Sequence, residues 1–150
     1  MLELLALLSA SAALQTAPVA AGIEVGSGGM VIYGDAAPFH AEYHTGVFNR
    51  SGVPDRLLAI STPVSSDVSR PVLFVYDGNN ALRPQADPRA IPPGSRALVT
   101  VDVRQLATEE FPEGVPVTLE FERAGKLTVV VAPVIARNSP PPPPASPSRR

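Results

Sequence analysis

The sequence predicts an all-β domain, and three features predict it. Between residues 22 and 136, short apolar runs alternate with turn residues. Proline reaches 18 residues, so runs free of Pro and Gly are too short for a helical bundle. Apolar residues make up 45% of the chain and charged residues 17%, which supplies a core and argues against global disorder. Short strands with turn signals at regular spacing point to a sandwich or barrel of about seven to eight strands.

The runs follow in order. Met30-Val31-Ile32-Tyr33 stops at Gly34-Asp35, and Ala41 to Phe48 stops at Asn49-Arg50-Ser51-Gly52. Arg56-Leu57-Leu58-Ala59-Ile60 ends near Pro63, and Pro71 to Tyr76 ends at Asp77-Gly78-Asn79-Asn80. Ala97 to Val103 is strongly β-branched, as a strand prefers. From Val115 to Glu122 apolar and polar residues alternate, so Val117, Leu119 and Phe121 share one face and Thr118, Glu120 and Glu122 the other. Ala124-Gly125 then turns the chain into Leu127 to Val131, the natural hairpin partner. Only Gln105 to Glu110 has room for a helical turn.

The two ends read differently from the middle. Met1 to Leu14 is mostly apolar and gives way to small residues around Ala17-Pro18-Val19-Ala20-Ala21. That is the pattern of an export signal at residues 1–21 with cleavage near Ala21, and it is short for a membrane span. It departs from the usual pattern in having no Lys or Arg before Arg50; a buried or amphipathic N-terminal segment is the alternative. Residues 22–136 then form one domain. Residues 137–150, with Pro140 to Pro144 consecutive, read as a solvated polyproline tail. The net charge of −2 supplies no basic stripe for nucleic acid. With no Cys, disulfides, thiolate metal sites and cysteine nucleophiles are excluded, and two His and two Met leave few soft or imidazole ligands.

Several segments taken together resemble the PCu(A)C family of periplasmic copper chaperones. Asn49-Arg50-Ser51-Gly52-Val53-Pro54-Asp55-Arg56-Leu57 is similar to that family's N-x-G-x-x-x-D-R-L turn, with Gly52 one place late. Asp77-Gly78, Arg83-Pro84 and Ile91-Pro92-Pro93-Gly94 match later turns in order, and Leu119-Glu120-Phe121-Glu122-Arg123-Ala124-Gly125 resembles the L-x-F-E-x-A-G hairpin. The resemblance covers residues 41–134. It implies a Greek-key β-sandwich, cupredoxin-like or Ig-like, and extracytoplasmic Cu(I) delivery to a copper acceptor.

The family's ligands, one His, one Met and a His-x-Met pair, suit soft Cu(I). Registered on Asp77-Gly78 and Arg83-Pro84, those positions fall at Pro71, Leu82, Arg104 and Leu106. Pro and Leu side chains have no lone pair to give, and a guanidinium repels a cation. The usual site is therefore missing. This pattern resembles ligand-poor relatives among actinobacterial envelope lipoproteins, from which the chain departs in lacking a lipobox Cys.

A replacement metal site is one candidate. On a strand, His40, Glu42 and His44 share a face, leaving Phe39, Ala41, Tyr43, Thr45 and Val47 for the core. Two imidazoles and a carboxylate suit Cu(II) or Zn(II). An ordinary polar strand face is the alternative, because residues i and i+4 of a strand lie roughly 13 Å apart. Asp67, Asp77 and Asp87 are turn formers. No nucleophile elbow, phosphate loop or dinucleotide fingerprint points to an enzyme. Two readings follow: a periplasmic, secreted or cell-envelope copper chaperone by ancestry, or a monomeric metal-free module that binds an envelope protein. An ordered His–carboxylate cluster favours the first, an apolar patch at Leu82 and Leu106 the second.

Overall fold

The computed structural model describes residues 19–136. Most of the expected export signal and the whole proline-rich segment lie outside the described residues. The described chain forms thirteen strands: β1 (Val19–Ala20), β2 (Ile23–Val25), β3 (Gly29–Tyr33), β4 (Phe39–Asn49), β5 (Asp55–Ser61), β6 (Asp67–Val68), β7 (Val72–Tyr76), β8 (Leu82–Arg83), β9 (Ala90–Ile91), β10 (Arg96–Leu106), β11 (Val115–Phe121), β12 (Gly125–Val131) and β13 (Val134–Ala136). The seven strands of five or more residues coincide with the seven runs read from the sequence. The other six are short pairings that add width to the sheets. Among the described residues, pairing starts at Val19, ahead of residue 22, where β1 and β2 form a small hairpin with Val19 opposite Glu24.

Two sheets stack as a sandwich. The larger is organised on β4 and β10, eleven residues each, which pair antiparallel from Phe48–Arg96 to Ala41–Val103. Each of these long strands takes two short partners in succession along its other edge. β4 pairs with β2 near Asn49 and with β3 from His44 to His40. β10 pairs with β7 near Ala97 and with β6 near Val103. The smaller sheet runs β12-β11-β5-β9.

Strict alternation explains the stacking. On β4, Phe39, Ala41, Tyr43, Thr45 and Val47 are buried while His40, Glu42 and His44 are exposed, as the period of two requires. Val117, Leu119 and Phe121 of β11 close the core from the other sheet. Fully burying a side chain of this size stabilises by about 1.5–3 kcal/mol.

The residues that carry the family resemblance are structural fasteners. Asn49 is fully buried, and its side-chain NH2 donates to the carbonyls of Val53 (2.9 Å) and Ile91 (3.0 Å). Its Oδ1 accepts from the Ser51 amide at 3.0 Å and hydroxyl at 2.7 Å. Asp55, 4% exposed, accepts the amides of Arg56, Arg123 and Ala124 at 2.8, 2.9 and 3.0 Å. It thereby ties the start of β5 to the β11–β12 turn. Asp77 accepts the amides of Asn79 and Ala81, and Arg83 donates to its other oxygen at 2.9 Å. Arg83, then those amides, hold its carboxyl below the usual range.

The helical turn for which Gln105 to Glu110 has room does not form. Gln105 and Leu106 instead complete β10, and Gln105 adopts φ +57° at a bulge. The extra residue turns Leu106 back into the core, opposite Phe39 and 1% exposed. Beyond it the Thr108 hydroxyl accepts the Glu110 amide at 3.0 Å, a local turn that competes with a helix.

Candidate functional site

The outer face of the larger sheet gathers the chemistry-bearing residues. Its rungs are read from strand register. Glu24, Phe48, Arg96, Tyr76 and Leu82 lie on one rung, crossing β2, β4, β10, β7 and β8. Gly46, Leu98 and Phe74 form the next, and Gly29, His44, Thr100 and Val72 the one after. Val31, Glu42 and Asp102 follow, and Tyr33 and His40 come last.

The lower rungs hold the expected metal residues. His40 stacks on Tyr33, its partner across β3, with ring centroids 5.2 Å apart and planes inclined by 24°. His44 lies against Gly29, so close that a β-carbon there would be 2.9 Å from its Cε1. Both imidazoles are thus occupied with β3, at positions roughly 13 Å apart along β4. Glu42 stands between them, and its neighbour on the other side is Asp102 of β10. Among the described residues, no three His, Cys, Asp or Glu side chains are placed to hold a metal ion together.

The four positions that the resemblance assigns to Cu(I) ligands do not fit copper. Pro71 and Leu82 have no donor atom. Arg104 pairs with Asp67 at 3.4 Å. Leu106 is sealed in the core. Nor do the positions converge. Leu82 pairs with Tyr76, at the Arg96 end of β10, whereas Arg104 and Leu106 lie at its other end.

The upper rungs are apolar and open. Val72 is 50% exposed and Leu82 41%, beside half-buried Phe74, Tyr76, Leu98 and Phe48. The apolar patch at Leu82 and Leu106 that would favour the metal-free reading forms only in part: Leu82 belongs to it, but the Gln105 bulge takes Leu106 inward. Glycines deepen the surface. Gly26 and Gly46 floor a depression walled by Phe48 and Tyr76, with Glu24 and Arg96 at its rim. A second, lined by Glu42, His44, Leu98, Thr100 and Asp102, continues it down the sheet. The Arg96 guanidinium lies 5.4 Å over the Tyr76 ring, and that of Arg50 lies 5.0 Å over Phe48.

Charge is split along this face. Arg50 pairs with Glu24 at 2.8 Å and Arg83 with Asp77 at 2.9 Å. Among the described residues, Arg96, Glu42 and Asp102 have no ion-pair partner within 4.0 Å. An unpaired cation thus stands at one end of the apolar strip and two facing carboxylates at the other. Asp102, Arg96 and the Val72-Phe74-Tyr76 face did not stand out from the sequence. The apolar run of β7 was visible, but which of its faces stays open is set by the partner strand.

No protein-family model and no curated protein matches the chain. Solved structures do. The copper-bound PCuAC domain from PmoF2 matches with a TM-score of 0.60 and 18% identity, covering 81% of this chain and 100% of that one. The apo PCuAC domain from PmoF2 gives 0.60 and 20%, covering 83% and 98%. The apo PCuAC domain from PmoF1 gives 0.57 and 18%, covering 83% and 100%. These likenesses establish the fold: an all-β sandwich of the cupredoxin-like, PCuAC type.

Proposed function

We propose that this chain is a non-enzymatic, extracytoplasmic binding module that uses the copper-chaperone sandwich for protein contact rather than for carrying metal. The observation that supports it most is the contrast on one sheet face. Its lower half assembles no three-ligand set among the described residues, while its upper half leaves Val72 and Leu82 open beside Phe74, Tyr76 and Leu98. An exposed apolar patch rimmed by charge marks a docking surface. The partner belongs to the same compartment, the periplasm or cell envelope, as an envelope protein. The export-like start of the sequence supports that location.

Copper carriage is the reading to test against. A competition titration of the full chain with Cu(I) and with Cu(II), run beside His40→Ala/His44→Ala, separates the two. The proposal expects no binding that outcompetes the chelator. Stoichiometric binding lost in the double variant overturns it and restores a metal site at His40, Glu42 and His44, with a copper acceptor as partner.

A further inference from the structure

The outer face has a layout that recognises itself. We propose that its partner is a second copy of this chain, packed face to face about a twofold axis that crosses the strands between Leu98 and Thr100. The inference rests on the reading that this face is a protein-docking surface, and it names what docks there. It departs from the monomer expected from the sequence.

A twofold interface brings the same patch of both copies together, so each feature must meet its complement rather than itself. An axis in the interface plane, running across the strands, lays β10 antiparallel over the β10 of the second copy. It keeps each strand over its equivalent and inverts the order of the rungs. Arg96 then meets Asp102 of the second copy, with Glu42 beside it, and the same contact repeats at the other end. None of these three groups has an ion pair among the described residues of its own chain.

The middle rungs agree with the same operation. Leu98 meets Thr100, and Phe74 meets Val72, which is half exposed. Gly46 comes opposite His44, and a β-carbon at Gly46 would touch nothing within 4 Å, so the face is open where the second copy approaches. The stacking of Arg96 on Tyr76 holds the guanidinium on the rung where the carboxylates would arrive.

The size of the patch sets the strength. Strand spacing and rise make it roughly 20 by 20 Å. That is below the ~800 Å² per partner of a standard stable complex, which puts the pairing in the weak, concentration-dependent class. Close charge pairs at such a contact set its specificity and register, and like charges brought together there oppose it strongly.

The test is sedimentation equilibrium of the full chain from about 10 µM to about 1 mM, at low and high salt. Two variants follow: Arg96→Glu, and Glu42→Lys with Asp102→Lys. All three positions are exposed strand residues, so thermal unfolding confirms that each variant remains folded. The proposal expects a dimer weakened by salt, and self-association reduced by about tenfold or more in each variant alone. An equimolar mixture of the two variants restores dimers, because both inverted charge contacts then become attractive. A chain that stays monomeric at ~1 mM and low salt overturns the self-pairing. So does a mixture that associates no better than either variant. Neither result touches the docking reading beneath it, which the copper titration decides.

Discussion

Asp55 offers the sharpest test of how the sandwich is held together. Its carboxylate is 4% exposed and takes three backbone amides, those of Arg56, Arg123 and Ala124. Two of the amides belong to the β11–β12 turn, so one side chain links strands of the smaller sheet that are far apart in sequence. Asp55→Ala removes the acceptor and strands those amides. Hydrogen bonds to a charged group are worth about 1.5–3 kcal/mol each, and losses within one cluster do not add fully. A net loss of about 3–4 kcal/mol is expected. Asp55→Asn keeps one oxygen and sets an NH2 against a donor, for a loss of about 2 kcal/mol. Urea unfolding reads both. With a slope of about 1–2 kcal/mol/M for a domain of this size, the alanine variant lowers the midpoint by roughly 1.5–4 M. Hydrogen exchange adds a local reading, because the Arg123 and Ala124 amides should lose protection first. A midpoint within ~0.3 M of the parent, or unchanged protection at those amides, would refute the reasoning.

Four further outcomes follow from the same geometry. Asn49→Ala leaves the Ile91 carbonyl and the Ser51 amide without its side chain as partner, while the Val53 carbonyl keeps the Ser51 hydroxyl, and should cost about 2–4 kcal/mol by urea unfolding. Gly28 has φ +66°, and a β-carbon there would lie 2.5 Å from the His44 carbonyl oxygen; Gly28→Ala should cost about 2–4 kcal/mol, read by thermal unfolding. Burial pushes the pKa of the Tyr43 hydroxyl up to about 12, with the Thr45 side chain pulling it the other way. Its folded value lies above the unfolded one, so stability is unaffected below pH ~10 and should fall by about 1.4 kcal/mol per unit from there to pH ~12, a decline that Tyr43→Phe removes. Restoring the chaperone ligands together, as Pro71→His, Leu82→Met, Arg104→His and Leu106→Met, should create no stoichiometric Cu(I) site in a competition titration, because Leu82 and Leu106 lie toward opposite ends of β10.

The strands were legible because each long one writes its environment in period two. β4 and β11 alternate so regularly that both strand and buried face follow from the residues alone. β7 is apolar at every position from Val72 to Tyr76, so the pattern gives a strand but not its open face. That face is fixed by pairing with β10, which sets Val72 and Phe74 beside Thr100 and Leu98. Asp102 was hidden for a similar reason. It meets Glu42 only through strand register, and register between distant segments is not written locally. Leu106 was misplaced because its direction depends on Gln105 at φ +57°, a conformation that glutamine does not advertise.

The residues that made the sequence resemble a copper chaperone turn out to be separable from those that would make it one. Asn49, Asp55 and Asp77 fasten turns through backbone hydrogen bonds, and that work is the same whether or not a metal is carried. The positions registered to ligands have other occupations. Leu106 fills the core, Arg104 neutralises Asp67, and Leu82 widens an apolar surface. The fasteners can therefore hold the fold whatever occupies the positions registered to ligands. A fold match then reports the fasteners, and function has to be read from the face they leave exposed.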